Sequence, residues 1–344
     1  MSSRASRKLD HLNHALVTGQ ARTHGFEDIR FVHNSIPEQH VDAISLTSQI
    51  GELTLSSPIF INAMTGGGGL RTEEINRQLA EVAAETGVGM AVGSQMAALR
   101  EAGQQQSYRI VRQAHPHGLV FANLGSEATV DQAKKAVEMI EADALQIHVN
   151  VIQELVMPEG DRDFRGTWQR ITAIVEALDI PVIVKEVGFG MSKETVARLV
   201  DCGVAAVDIG GFGGTNFSKI ENERRERRLA YFDEWGISTT CSLLEAREAK
   251  GDIAVIASGG IQTALEMAKS LALGAAACGF AGHFLRVLTE SGQDALIAEI
   301  RTLQEDLRFL LAALDAESPL QLRDTPLVIS GKTFHWAVQR SLTI

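Results

Sequence analysis

Proline is scarce in this 344-residue sequence, seven against 31 glycines, so tight turns and close backbone approaches are expected and a proline-rich linker is not. Cysteine is scarcer still: Cys202, Cys241 and Cys278 lie far apart in apolar or helical surroundings. They read as buried thiols of a reducing cytoplasm, and nothing near them resembles a zinc site. Long apolar runs are missing. The longest nearly apolar stretch, "LALGAAACGFAG" (271–282), is too short to span a bilayer. The N-terminal "MSSRASRKLDHLNHAL" lacks the apolar core of a signal peptide. Positive charge is in deficit, 32 Lys and Arg against 43 Asp and Glu, for a net charge of −11 and a pI near 5.4. That balance argues against a general nucleic-acid or membrane-surface binder, but a few local Arg and Lys residues still suffice for a small anionic substrate. The expectation is a cytoplasmic protein with no nucleic-acid and no membrane partner.

What is present is a repeated alternation. From about residue 58, short apolar runs alternate with helical patterns. The runs fall at 58–64, 88–92, 118–125 and 144–150, then at 181–188, 205–211, 253–260 and 276–282. Amphipathic segments such as "TVDQAKKAVEMIEAD" separate them, with Val130, Ala133, Val137 and Ile140 on one face at helical spacing. Eight β-then-α units predict an α/β fold, a closed (β/α)8 TIM barrel of the size such barrels use. An open doubly wound sheet competes. No strand–helix junction carries GxGxxG with an acidic residue at the next strand end, which weakens that alternative. One domain over 1–344 is expected: an N-terminal arm and substrate lid (1–57), the barrel (58–290), and a C-terminal helix and tail (291–344). In the arm, a helix is expected near Asp10–Thr18, and "IRFVH" and "AISLT" look strand-like. The long segment "GGFGGTNFSKIENERRERRLAYFDEWGIST" follows strand six and is placed to be a lid or substrate wall.

Residues at the C-terminal ends of barrel strands face the active site. Here they are Ala63, Met64 and Thr65, then Ser94 and Asn123, then His148, Asn150, Gln153 and Glu154, then Lys185. Glycine-rich turns follow on strands six, seven and eight at Gly213–Thr215, Ser258–Gly260 and Ala281–Gly282. One such turn only tightens a βα junction. Three, two of them on the strands that usually build a barrel phosphate site, point to a phosphate held by backbone N–H groups. Lys185 follows the buried run "PVIV". It is a salt-bridged strand-end lysine, a cation beside an electron-accepting flavin ring, or a Schiff-base lysine. Asn123, the small-residue platform at 63–65 and the phosphate turns suit flavin mononucleotide (FMN) better than a Schiff base. "RRERR" (224–228) reads as a solvated helix face paired with neighbouring Glu residues. Trp168, Trp235 and Trp336 read as packing or subunit contacts, and His115 and His117 as surface residues around a Pro116 turn.

The motifs "RKLDHL", "INAMTGG", "VGSQ", "ANLG", "QIHVNVIQE", "EGDRDF", "IVKEVGFG", "DIGGFGGTNF", "SGGI" and "GFAG" occur in order from about residue 4 to residue 284. Together they resemble type 2 isopentenyl diphosphate isomerase, with "HVNVIQE" and the N-terminal "RK" the most specific. The resemblance implies an FMN-binding barrel that interconverts isopentenyl and dimethylallyl diphosphate without net redox change. It also implies reduced FMN maintained by NADPH, a Mg2+ ion, and a homo-oligomer, tetramer or octamer. Carried over by motif, Ala63, Met64, Thr65, Ser94, Asn123, Lys185 and Thr215 would contact the flavin or its phosphate. Ser258, Gly259, Gly260, Ala281 and Gly282 would complete that site. Arg7 and Lys8 would bind the substrate diphosphate, with His148 and Asn150 meeting it from below. Gln153 would lie at the reacting carbons and Glu154 would hold Mg2+. Many members of the family have an arginine after "GSQ". This chain has Met96 there, and Arg100, one helical turn on, is the expected partial replacement. The rival is an FMN-dependent oxidoreductase on the same barrel. A 2-hydroxyacid oxidase needs a strand-end His and Arg, and "DIGGFGGTNF" offers neither.

Overall fold

The computed structural model describes residues 23–249, 251 and 253–344. Arg7, Lys8 and the helix expected near Asp10–Thr18 therefore lie outside the described residues. Three short strands precede the barrel: β1 (Ile29–Phe31), then the hairpin of β2 (Ser48–Ile50) and β3 (Leu53–Leu55). The "IRFVH" strand is thus present, whereas the "AISLT" segment is irregular up to Thr47 and pairing begins only at Ser48.

Eight parallel strands then close on themselves. They are β4 (Ile59–Ile61), β5 (Gly89–Ala91), β6 (Val120–Gly125), β7 (Ala144–Val149), β8 (Val182–Glu186), β9 (Ala206–Asp208), β10 (Ala254–Ala257) and β11 (Ala277–Phe280), with β11 pairing back onto β4. The helices in chain order are α1 (Leu70–Thr86), α2 (Met96–Arg100), α3 (Gln106–Ala114), α4 (Val130–Ile140), α5 (Val151–Val156), α6 (Thr167–Ala177) and α7 (Lys193–Asp201). After them come α8 (Phe217–Asn222), α9 (Thr239–Glu248), α10 (Ala264–Ala272), α11 (Gly282–Ser291), α12 (Gln293–Ala313) and, beyond β12 (Leu327–Ile329), α13 (Gly331–Gln339). This is the expected (β/α)8 barrel. The tail returns to the arm, since β12 pairs antiparallel with β1, Ile29 opposite Ile329.

Local sequence explains the helix boundaries. Thr129 and Gln132 cap each other's backbone at the start of α4; of the face expected to be apolar, Ala133 and Ile140 are buried and Val130 and Val137 partly buried, with Ala136 buried beside them. Thr263 and Glu266 do the same for α10.

Inside the barrel the strand period of two sorts the side chains into layers. Phe60, Phe121, Ala144, Ile183, Ala206 and Ile256 form one buried apolar layer with Ile50, Leu53 and Leu55 of the hairpin, which close the N-terminal mouth. The Phe60 and Phe121 rings lie tilted with centroids 5.9 Å apart. Burying each such ring stabilises by about 1.5–3 kcal/mol. Two residues further along the same strands, the inward positions turn polar: Asn62, Asn123, Gln146, Lys185, Asp208 and Ser258, all buried. The strand residues between, such as Leu124, Ile147 and Val184, pack outward against the helices.

Two expectations are corrected here, and a third is met in part. His115 is buried, 5% exposed, because Gly118 leaves room for its ring: a Cβ there would lie 1.6 Å from Nε2. "RRERR" lies beyond the end of α8 in turns. Its Arg228 does pair with Glu223, as charge spacing suggested, but Arg224 faces the cavity described below. Trp168 and Trp336 are packing residues, the first under the Arg198 guanidinium at 4.2 Å and the second donating to Glu245 at 2.8 Å, while Trp235 is 55% exposed beside Phe232.

Candidate active site

A cavity of about 760 Å3 opens at the C-terminal face of the barrel, and a smaller hollow of about 100 Å3 adjoins it. Thr215, Ala281 and Gly282 line both, so the two form one continuous site. Met64, Thr65, Ser94, His148, Asn150, Gln153 and Glu154 line the large cavity. Ala63, Lys185, Ser258, Gly259 and Gly260 line the hollow. Every nominated residue in the described chain except Asn123 therefore lines one space or both. Asn123 lies one layer deeper, where its Oδ1 meets His148 Nδ1 at 3.0 Å.

Close backbone contacts explain why two motifs are glycine at fixed points. The turn "VGSQ" lies against "INAMTGG": a Cβ on Gly93 would fall 1.0 Å from the Thr65 carbonyl oxygen. The turn "SGG" lies against "DIGG": a Cβ on Gly259 would fall 2.1 Å from the Gly211 carbonyl oxygen, and Gly259 has φ +108° besides. Thr65 is held further by its hydroxyl donating to Asn76 at 2.6 Å, and the Ser94 carbonyl accepts from the buried Tyr108 hydroxyl at 2.7 Å.

A phosphate fits the hollow on these grounds. Its walls are residues of three glycine-rich turns, two of them packed too closely against each other to admit side chains at Gly214, Gly259 and Gly260, and the ten-residue α11 begins at Gly282 on its rim. Lys185 also lines the hollow. It sits 3.4 Å from Asp208 Oδ2 and donates to the Glu186 carbonyl at 2.8 Å, so the salt-bridged reading of this lysine holds.

On the cavity side, α5 begins directly after β7 and brings Gln153 and Glu154 over the strand end that carries His148. The Asn150 amide donates to Gln153 Oε1 at 3.2 Å and to Glu154 Oε1 at 3.0 Å. The Asp161 N–H donates to Glu154 Oε2 at 2.8 Å. Burial pushes the Glu154 carboxyl above its ordinary range despite these two donors, with negative Asp161 and Glu127 adding to the push. A divalent cation would relieve that cost. Among the described residues no group of three or more His, Cys, Asp or Glu forms a complete metal cage. An ion that takes one carboxylate plus substrate oxygens, as Mg2+ commonly does, would suit Glu154.

Sequence reading missed three contributors. Glu221 of α8, fully buried, accepts from Gln153 Nε2 at 3.3 Å. Arg224 bridges Glu221 and Glu159, each at 2.6 Å. Asp208 of the "DIGG" motif receives Asn62 at 2.7 Å, the Ser258 hydroxyl and the Gly210 N–H at 3.2 Å. Inward alternation along the strands would have nominated Asn62, Gln146 and Asp208. The Glu221–Arg224 pair has i,i+3 spacing, but nothing in the sequence places it beside Gln153. Met96 and Arg100 both line the cavity, so the expected replacement has the right location.

Comparison with known proteins agrees with this architecture. A family model for FMN-dependent dehydrogenases matches residues 107–328. Among solved structures, a flavocytochrome b2 variant with sulfite bound superposes with a TM-score of 0.70 at 18% identity, covering 92% of this chain and 82% of its own. A mandelate oxidase variant gives 0.65 at 17%, covering 95% and 97%. These likenesses establish the fold. An isopentenyl-diphosphate delta-isomerase of Bacillus licheniformis is 59% identical over 99% of this chain and 97% of its own length, and one of Bacillus cytotoxicus is 61% identical with the same coverage. At that identity over nearly the whole of both chains, on a barrel of the FMN-dependent dehydrogenase kind, the chain belongs to the isopentenyl-diphosphate delta-isomerase family.

Proposed function

We propose that this protein interconverts isopentenyl diphosphate and dimethylallyl diphosphate, using FMN in its reduced form, NADPH to keep it reduced, and Mg2+. One observation carries the reading: the glycine-walled hollow opens into a cavity floored by His148, Asn150, Gln153 and Glu154. In this reading Ser258, Gly259, Gly260, Thr215, Ala281 and Gly282 hold the FMN phosphate. Ala63, Met64, Thr65, Ser94 and Asn123 support the ring, and Lys185 sets positive charge beside it. Bound reduced FMN supplies acid–base capacity next to the alkene with no net electron transfer.

The reaction adds a proton at one carbon of the alkene and removes one two carbons away, so atoms and charge balance without an oxidant. The chain's own groups bind, orient and exclude water. Arg7, Lys8, His148 and Asn150 take the diphosphate, and Glu154 would hold Mg2+, which would neutralise charge on the diphosphate. Gln153 lies at the reacting carbons, its amide held on one side by Asn150 and on the other by Glu221. A neutral amide is a poor base, so Gln153 orients the substrate and Glu221 backs it. The same reading includes cytoplasmic residence and a homo-oligomer, tetramer or octamer. Exposed Tyr231 and Trp235 on the segment after β9 offer apolar surface for assembly. Among the described residues no helix is long and apolar enough to cross a membrane.

The oxidoreductase reading has the fold in its favour, but the β9 end "DIGGFGGTNF" carries no His or Arg to deprotonate a hydroxy acid. Anaerobic incubation with FMN, NADPH, Mg2+ and isopentenyl diphosphate, followed by NMR, separates the readings. Appearance of the allylic isomer supports the isomerase. Its absence, together with turnover of a 2-hydroxy acid, would replace it.

A further inference from the structure

A line of side-chain amides crosses the barrel floor from Asp208 to His148, and its hydrogen bonds all run one way. Asn62 donates its Nδ2 to Asp208 Oδ2 at 2.7 Å. Gln146 donates its Nε2 to Asn62 Oδ1 at 3.4 Å, and Asn123 donates its Nδ2 to Gln146 Oε1 at 3.3 Å. At the far end Asn123 Oδ1 faces His148 Nδ1 at 3.0 Å. Each member is set by the one before it. Asp208 receives only donors, from Asn62, Ser258, Gly210 and Lys185, which is the pattern of an acceptor-only carboxylate. Asn62 must therefore turn its NH2 toward Asp208. Its oxygen then faces Gln146, and the Ala63 N–H donates to that same oxygen at 2.8 Å, fixing the amide a second time. The remaining two amides follow in register, and Asn123 presents an oxygen to the imidazole. An oxygen there requires a proton on Nδ1. Asn62, Asn123 and Gln146 are at most 2% exposed, so water does not compete along the line, and bonds in such a chain polarise one another.

We propose that Asp208 is a positioning residue that fixes the tautomer of His148 through the three amides of Asn62, Gln146 and Asn123. In the neutral ring Nδ1 carries the proton, and Nε2, on the opposite edge of a ring that lines the cavity, is the nitrogen that gains or loses one. That Nε2 meets a diphosphate rests on the isomerase reading; the tautomer does not.

The test is 15N NMR of histidine-labelled FMN-loaded protein, with the His148 signal assigned by its loss in His148→Gln. The expected spectrum above the ring's titration shows Nδ1 protonated and Nε2 bare. Asp208→Asn replaces the acceptor with a group that also donates, so the bias is expected to fall to a mixture or invert. Gln146→Met cuts the line while leaving the Lys185–Asp208 pair intact, and is expected to release the bias in the same way. It also decides the matter should Asp208→Asn fail to fold. A wild-type His148 protonated on Nε2, or an Nδ1 tautomer that survives Gln146→Met, overturns the proposal. Wild-type isomerisation is followed separately on the same sample. A wild-type protein that isomerises but lacks the Nδ1 bias strikes this inference alone, and one that shows the bias but does not isomerise strikes only the isomerase reading.

Discussion

Arg224 donates to the fully buried Glu221 at 2.6 Å and through its other terminal nitrogen to Glu159 at 2.6 Å, tying α8 to the loop after α5. Glu221 in turn accepts from Gln153. The guanidinium thus holds the carboxylate that orients the amide, and separately pins the loop through Glu159. Arg224→Gln is expected to lower kcat by about tenfold or more, about 1.4 kcal/mol in the barrier, with KM for isopentenyl diphosphate within about threefold. Glu159→Gln, which breaks only the loop contact, should lose far less, and Arg224→Lys should recover part of kcat. Equal losses in Arg224→Gln and Glu159→Gln would reduce the residue to a loop pin.

Glu154 shares a donor with Gln153, the Asn150 amide. Glu154→Gln keeps the shape and removes the charge. Loss of several kcal/mol of metal-assisted stabilisation predicts a fall in kcat of about 100-fold or more. Dependence on added Mg2+ should flatten, and the bound-flavin absorbance should stay at wild-type level. Loss of flavin in this variant would move Glu154 from the metal to the cofactor site.

The barrel and its eight strands were legible in the sequence, and nearly every nominated residue lines the cavity or its hollow, for one reason. Strand ends of a parallel barrel converge whatever their neighbours do, so locating Asn150 or Ser258 at a strand end was enough to place it. Asn62, Gln146 and Asp208 share that logic and were passed over because they look like interior strand residues, where a polar side chain is visible only by counting the period of two from Phe60, Ala144 and Ala206. Glu221 and Arg224 were not legible. Their partners Gln153 and Glu159 lie more than sixty residues away, and charge spacing along "ENERRERR" predicts neighbours in the chain, which holds for Arg228 with Glu223 and Arg224 with Glu221 but does not reach Glu159. His115 shows the same limit, since its burial depends on the space left by Gly118.

Arg100 lines the cavity on α2, one turn beyond Met96. As a replacement cation for the diphosphate, it predicts that Arg100→Ala raises KM for isopentenyl diphosphate by about tenfold, about 1.4 kcal/mol of binding, with kcat little changed. The double variant Arg7→Ala with Lys8→Ala is expected to raise KM further and leave a cooperative melt at the wild-type temperature. An unchanged KM in Arg100→Ala would leave the position after "GSQ" without a substitute at this site.

Arg340 fastens the end of the C-terminal helix α13. Arg340, just past its end, reaches Glu194 and Glu245, donating to Glu245 Oε1 at 2.7 Å, and Trp336 of the helix donates to the same oxygen at 2.8 Å. The Glu245 side chain is fully buried, whereas Arg340 is about a third exposed. Although burial alone would raise it, the guanidinium, the Lys193 N–H and Trp336 hold the Glu245 carboxyl below its ordinary 4.5, and Arg340 brings exposed Glu194 down to about 2. A carboxyl depressed in the folded state binds fewer protons there than in the unfolded chain. The stabilisation is therefore present above about 4.5 and is lost as pH falls through the lower folded values. Arg340→Ala strands Glu245 without its cation and is expected to cost about 1–3 kcal/mol at neutral pH, discounted for the solvent around the guanidinium. Because burial then governs Glu245, the variant should lose less stability than wild type on acidification, so the two urea midpoints converge as the pH drops. Midpoints that stay equally far apart at neutral and acid pH would mean that Arg340 fastens the helix by packing alone.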